Sequence, residues 1–145
     1  MKLSLKLTNG EKILLEVVVD EWDAQGFHPP VNLDECLDDV AALHRVLANA
    51  TRVKMLRHLA EARKCRFSDM IKRIRVNRKI LNDHLRMMCE EGLISRVKFN
   101  PRNVTYQPST KGVMALLMCM LMANLFGKGE PTSHVKTRFS DESLE

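Results

Sequence analysis

Between Leu47 and Ile94 the apolar positions repeat at helical spacing in two blocks, LANATRVKMLRHLAEA and FSDMIKRIRVNRKILNDHLRMMCEEGLI. In the second block Phe67, Met70, Ile71 and Ile74 fall on one helical stripe. Val76 and Asn77 interrupt it, and Leu81, Leu85 and Met88 open a new stripe on a second helix. Opposite that new stripe stand Arg78, Lys79, Asn82, Asp83 and Arg86, spaced to share one solvent-facing side. Gly92 marks the end of the second helix. Ile94–Phe99 and Val104–Gln107 then read as strands around the turn Asn100-Pro101-Arg102-Asn103. The order predicts a helix-turn-helix followed by a wing.

The flanks add elements of their own. Lys2–Leu7 and Lys12–Val19 are β-prone runs joined at Asn9-Gly10, a type I′ hairpin signal that calls for positive φ at both residues. Leu3, Leu5 and Leu7 alternate with Lys2, Ser4 and Lys6, so one face of that hairpin is expected to be buried. Asp20–Pro30 reads as an acidic connector. Asn32 is expected to cap a helix from Leu33 to about Ala48, with Leu37, Val40, Ala41, Leu43, Val46 and Leu47 inward and His44 packed or half-exposed beside them. Thr51 is the expected cap of a helix through Ala62, with Val53, Leu56 and Leu59 inward, and Arg63–Arg66 is a basic connector. Ser68 is expected to cap the positioning helix, and Asn77 the reading helix. After Gly112, the run Val113–Phe126 has one polar residue, Asn124, and is apolar on nearly all sides. For a terminal helix that pattern favours a seam between subunits.

The fold class expected is therefore mainly α with small β: a winged helix-turn-helix with an N-terminal β-hairpin and a C-terminal dimerisation helix. The divisions are a hairpin and connector over 1–30, the winged domain over 31–112, the dimerisation helix over 113–127 and a flexible tail over 128–145. A chain of 145 residues is long enough for a real core.

Charge sharpens this picture. The net charge is +5, but residues 1–50 carry 4 Lys or Arg against 9 Asp or Glu, whereas residues 51–107 carry 15 against 5. The basic excess sits on the helix-turn-helix and wing, where phosphates would be neutralised. Lys98 and Arg102, near the wing tip, are spaced to reach a phosphate or a minor groove. Cys36, Cys65, Cys89 and Cys119 form no C-x-x-C pair, so neither a zinc knuckle nor a disulfide framework is indicated. The N-terminus lacks an apolar stretch of signal-peptide length, and Val113–Phe126 is short of the roughly 20 residues that span a bilayer. A reducing cytoplasm is the expected home. No Gly-rich phosphate loop, H-E-x-x-H or paired-carboxylate arrangement suggests an enzyme, and no cofactor or metal is expected. Cys65, between Lys64 and Arg66, has neighbours that would lower a thiol pKa and make redox sensing conceivable beside a structural role. Met114, Met118, Met120 and Met122 read as adaptable packing.

The segment LANATRVKML, Leu47–Leu56, resembles the phrase L-x-D/N-P-T-R-L-x-I-L of ArsR-type regulators. Ile74–Ile94 is similar in register to their L-G-L-S-x-x-x-V-S-x-H-L-x-x-L-x-x-x-G-L-V, with Ile74, Val76, Leu81, His84, Leu85, Met88, Gly92, Leu93 and Ile94 in matching places. Asn77 and Asn82 stand where serine is usual. YQPSTKG, Tyr106–Gly112, is similar to the Y-x-L-T-x-K-G closing the wing in MarR- and PadR-like relatives. The resemblance spans about Leu33–Phe126 and implies a homodimeric transcription factor on a pseudo-palindromic operator, with an unidentified effector. Two departures count against metal sensing: Cys65 stands alone where metal sensors carry C-x-C, and Val113–Phe126 lacks the Asp and His pairs of others.

The expected function is sequence-specific double-stranded DNA binding in transcription regulation. Asn77, Arg78, Lys79, Asn82, Asp83, His84 and Arg86 would meet the major groove, and Lys98 and Arg102 the backbone or minor groove. Asp83 could accept from a cytosine or pair with Arg86 or Lys79. Met114, Leu117, Met118, Leu121 and Leu125 would form the dimer seam. The alternative is a winged helix used for protein–protein contact in a transcription or assembly complex, against which the basic reading face argues.

Overall fold

The computed structural model describes residues 3–19 and 32–127; Lys2, the connector 20–30 and the tail 128–145 lie outside the described residues, as do the side chains of Leu3 and Leu5. The chain divides into two compact units, Met1–Ala41 and Ala42–Glu145.

In the first unit β1 (Leu3–Asn9) pairs antiparallel with β2 (Lys12–Val19), in a register running from Leu3↔Val19 to Asn9↔Lys12. The central turn residues are therefore Gly10 and Glu11, one place later than predicted. Of these two only Gly10 has positive φ, at 58°, which is the pattern of a II′ turn and not a I′ turn. A register shift between Leu7 and Thr8 moves the pairing from Leu15 to Ile13, so the bulge falls at Leu14. Leu33 begins a helical segment as expected, but its first turn, Leu33–Cys36, is a 3-10 helix that leads into α1 (Leu37–Leu47). Asn32 makes no cap bond, because its side-chain amide donates instead to Glu35 Oε1 at 2.8 Å. Helix α1 crosses from the first unit into the second.

The second unit continues with α2 (Ala50–Ala62), β3 (Cys65–Arg66), α3 (Phe67–Ile74), α4 (Arg78–Glu90), β4 (Ile94–Asn100), β5 (Asn103–Pro108) and α5 (Thr110–Phe126). Asn49, and not Thr51, caps α2, with Oδ1 accepting the Arg52 N–H at 3.1 Å. Ser68 lies inside α3 and is not its cap, because Arg66 is held as strand against Thr105 and the helix starts directly after it. The predicted basic connector thus contains an edge strand, giving a three-stranded sheet ordered β3-β5-β4. Between α3 and α4 the chain turns on Arg75, left-handed at φ 59°, whose N–H reaches Ile71 O at 3.0 Å. Asn77 then caps α4 as expected, accepting the Ile80 N–H at 2.8 Å. Helix α4 ends in paired bonds from Gly92 N–H to Cys89 O and from Leu93 N–H to Met88 O, each 2.9 Å.

Met55, Leu56, Leu59, Met70, Leu81, Leu85, Met88 and Leu93 are the fully buried centre. Val46, Ile74, Ile94, Tyr106, Ala115 and Leu116 complete it, with Phe67 and Ile71 packed against its edge. The α3 and α4 stripes thus face inward as read. In α2 the inward face is rotated slightly: Met55 is buried and Val53 only half-buried.

Arg52 is buried near the start of α2, and each direction of its guanidinium is used. Nε donates to Val46 O at 2.5 Å, Nη2 to Arg45 O at 3.1 Å, and Nη1 lies 3.3 Å from His84 Nδ1 and 3.8 Å from Met87 Sδ. The carbonyls at the end of α1 would otherwise lack partners. One charged side chain therefore ties the end of α1 to the start of α2 and to the inner flank of α4.

Helix α5 starts at Thr110, three residues before the predicted Val113, because Ser109 supplies a cap: its Oγ accepts the Gly112 N–H at 3.0 Å. Gly112 therefore lies inside the first turn. A Cβ there would sit 1.9 Å from Leu93 O, so only glycine lets this turn lie against the backbone leaving α4. Gly112→Ala should lower stability by about 1–3 kcal/mol, as overpacking does; a urea midpoint equal to that of the parent would count against the close approach.

Burial first, and the Arg52 cation second, hold the His84 pKa below its ordinary value, with Asp83 opposing them. A histidine depressed in the folded state contributes stability that is fully present above its unfolded pKa, about 6.5, and is lost as pH falls from there through the folded value. Unfolding free energy should therefore decline on acidification below about pH 6.5, and that decline should be shallower in His84→Gln. Parallel stability–pH curves for the two proteins would contradict this account.

Candidate nucleic-acid interface

On α4 the side chains of Arg78, Lys79, Asn82 and Arg86 are exposed and Asp83 is half-buried, while Leu81, Leu85 and Met88 face the core. The first turn of α4 contains Arg78 and Lys79 and no acid. A helix N-terminus is electropositive, so two cations there cost roughly 0.3–1 kcal/mol each and raise the local positive potential. Arg78 is held in place by Phe67 of α3, its guanidinium carbon 5.5 Å from the ring centroid. Arg86 bridges Asp83 at 3.3 Å and Glu90 at 4.0 Å, so the acid on this face pairs with a cation one turn away. These pairs are exposed and contribute at most about 1 kcal/mol, a weak restraint that an incoming anion can displace.

His84 does not join this face. Its Nδ1 is directed at Arg52 and the residue is half-buried on the flank of the helix, apart from the exposed set. Asn77 is occupied as the cap, although its residue is exposed. Two residues were missed. Arg96 of β4 lines a groove of about 420 Å³ with Asn82, Asp83, Arg86 and Tyr106, and so extends the basic surface beyond the helix. Ile80, 43% exposed, places an apolar side chain on the first turn of α4. Neither had a periodicity signal, since Arg96 lies on a strand and Ile80 interrupts the polar set.

The wing carries Lys98 and Arg102 exposed on β4 and at the turn Pro101-Arg102. Asn100 Oδ1 accepts the Arg102 N–H at 3.0 Å and shapes that turn. Phe99 is 65% exposed beneath Lys64, whose Nζ stands 5.9 Å from the ring centroid.

Helix α5 buries Gly112, Ala115 and Leu116 against its own unit. Met114, Leu117, Met118 and Leu125 of the expected seam are exposed and Leu121 is half-buried; Val113, Met120, Met122 and Phe126 are exposed as well. The expected burial around most of the helix is thus not met within one chain.

All four cysteines are free. Of the two readings offered for Cys65 the structural one fits: burial first, then Asp69, pushes its thiol up, because the side chain points into the core. Its Sγ lies 3.4 Å from Arg66 O and 3.8 Å from His58 Nε2. Burial likewise raises Cys89 and Cys119. Among the described residues no group of three or more His, Cys, Asp or Glu is placed to hold a metal, and no helix is long and apolar enough to cross a membrane.

Residues 49–96 match the family described as bacterial regulatory protein, arsR family. No curated protein matches the chain significantly in sequence. Among solved structures it is similar to the transcriptional repressor BigR from Xylella fastidiosa, at TM-score 0.56 and 17% identity over 66% of this chain and 93% of that one. NolR from Sinorhizobium fredii gives TM-score 0.56 and 18% identity over 71% and 100% of the two chains. The homodimeric winged helix-turn-helix DNA-binding domain of a possible ArsR-family transcriptional regulator from Mycobacterium bovis gives 0.54 and 19% over 72% and 98%. At these identities the likeness concerns the fold, which is a winged helix-turn-helix. The stretch similar to the arsR family, residues 49–96, runs from the cap of α2 into the first wing strand and so spans the helix-turn-helix of this fold.

Proposed function

We propose that this chain is a double-stranded DNA-binding transcriptional regulator that acts as a homodimer in the cytoplasm. The observation that carries the reading is the outward face of α4, where Arg78, Lys79 and Asn82 stand exposed on a helix capped by Asn77 and backed by Leu81, Leu85 and Met88. A helix of this width fits a major groove. Guanidinium groups match the acceptors of guanine, an amide matches adenine, and Ile80 offers an apolar contact for a thymine methyl. Arg86 and Arg96 reach phosphates or bases at the far end once Arg86 releases its surface acids. Lys98 and Arg102 on the wing hold the backbone or the adjacent minor groove. The regulatory family is not one of enzymes, and no residue here is given a catalytic role.

Dimerisation is proposed through α5. Several large apolar side chains between 40% and 53% exposed on one terminal helix, with Phe126 at 82%, are a cost in water that a second copy removes. Two such helices about a two-fold axis would set the reading helices roughly 34 Å apart, one turn of DNA.

Selection of bound sites from random duplex DNA tests the reading and the half-site spacing together. Arg78→Ala and Asn82→Ala should each relax preference at particular base positions, with a good base contact worth about 1–3 kcal/mol. If selected sites stay the same while affinity falls uniformly, those residues are phosphate anchors. Absence of salt-dependent retention on duplex DNA would instead favour the protein-contact reading.

Sedimentation should return a dimer for the parent chain and a monomer with greatly weakened DNA binding for Leu117→Asp. A parent that sediments as a monomer, with α5 still protected from hydrogen exchange, would remove α5 from any subunit seam.

A further inference from the structure

A second polar site lies at the root of the wing, away from the outer face of α4. Thr105 is the middle residue of the sheet here, paired with Arg66 of β3 on one side and Val97 of β4 on the other. Its neighbours in β5, Val104 and Tyr106, turn toward the core, so Thr105 and Asn103 share the opposite face. That face is a cavity of about 290 Å³ lined by Lys64, Arg66, Asp69, Phe99, Asn103 and Thr105. Thr105 is 6% exposed, yet its Oγ1 has no hydrogen-bond partner, and neither has the buried Asn103 Oδ1; among the described residues these are the two buried side-chain polar atoms in that state. Buried polar atoms are nearly always satisfied, and a pair of exceptions lining one cavity points to something that binds there.

The lining specifies what. Lys64 and Arg66 attract an anion, and the Thr105 hydroxyl can donate to it. Asp69 and Asn103 Oδ1 can only accept, so they require donors from the ligand. A bare phosphate or carboxylate would leave Asn103 Oδ1 unmatched and would face the Asp69 carboxylate. A bare amine would meet Lys64 and Arg66. A small molecule with a carboxylate and an ammonium group a few bonds apart satisfies both sets through charge-assisted bonds. The Phe99 ring offers an apolar wall for a side group, and the volume limits the ligand to about the size of a free amino acid.

We propose that this wing-root cavity binds a small zwitterion of the α-amino acid type. The carboxylate lies toward Lys64, Arg66 and the Thr105 hydroxyl, and the ammonium group toward Asp69 and Asn103. The site does not depend on the DNA reading, and no residue assigned to the outer face of α4 takes part in it.

The test is calorimetric titration of the full chain, without DNA, against each of the twenty protein amino acids at millimolar concentration. Acetate, inorganic phosphate and methylamine serve as separate probes. Saturable binding of at least one amino acid, and of none of the three probes, is expected. Thr105→Val and Asp69→Asn should each weaken it by about tenfold or more. Thr105→Val should also leave the thermal midpoint of the ligand-free chain unchanged or raised, because it removes a hydroxyl that has no partner. Failure of all twenty amino acids to bind overturns the proposal. So does phosphate or acetate binding as well as any amino acid, which would make this a simple anion site. Binding that survives both substitutions would place the ligand elsewhere. A lowered midpoint for ligand-free Thr105→Val would show that the hydroxyl is already satisfied.

Discussion

The contact on which the second unit depends is the junction at Leu93, where three elements share one stretch of backbone. The Leu93 N–H closes the end of α4 on Met88 O, and its carbonyl accepts the Ser109 N–H at 3.0 Å. Gly112 rests against that same carbonyl, and Ser109 Oγ donates to the neighbouring Gly92 O at 2.5 Å. Lys111 adds a bond from Nζ to Glu91 O at 2.8 Å and an ion pair with its carboxylate at 3.0 Å. The far end of α4 and the first turn of α5 are thereby joined by backbone bonds that the Ser109 and Lys111 side chains reinforce. If α5 is the dimer seam, this junction and the packing of Ala115 and Leu116 in the core link its two-fold axis to the direction of each α4. Few degrees of freedom remain between subunit pairing and the spacing of the proposed reading helices.

Arg52 performs the matching task at the other side of α4. A buried guanidinium is tolerated only where its donors are used, and here they meet two carbonyls, an imidazole and a thioether. Its cost gives orientation in return. A leucine at this site could pack but could not register α1, α2 and α4 against one another. Helix α4 is thus fixed at its end by Leu93 and on its inner flank by Arg52, leaving its outer face free of structural duties.

That division explains what could be read from the sequence. Leu81, Leu85 and Met88 were legible because burial on one face of a regular helix produces a period, and Arg78, Lys79, Asn82 and Arg86 were legible as its complement. Asn77 was legible as a cap because it directly precedes the new stripe. The cap of α2 was misread as Thr51, since side-chain bonding depends on which residue takes the extended backbone, and that is Asn49. Strand β3 left no pattern at all: two residues cannot show alternation, and their pairing with β5 joins positions forty residues apart. The setting of His84 was hidden for a related reason. It is half-buried at the rim between the two faces, and only the long-range approach of Arg52 decides where its ring turns. The two readings of Cys65 stayed open in the sequence because charge adjacency says nothing about the side of a strand on which a thiol lies.

Three places in the second unit depart from what stability alone would select, and they are the three to which function is assigned. The first turn of α4 carries two cations where the helix dipole favours acids. Helix α5 shows water a surface of Leu and Met that its own unit covers along one stripe only. The wing root buries a hydroxyl and an amide oxygen without partners. Each departure carries a free-energy cost in the isolated chain, and each is one that a proposed partner of different chemistry would relieve: a polyanion, a second copy and a small zwitterion. A fold held by the Leu93 junction and Arg52 can sustain such local costs, because neither anchor lies within the surfaces that remain unsatisfied.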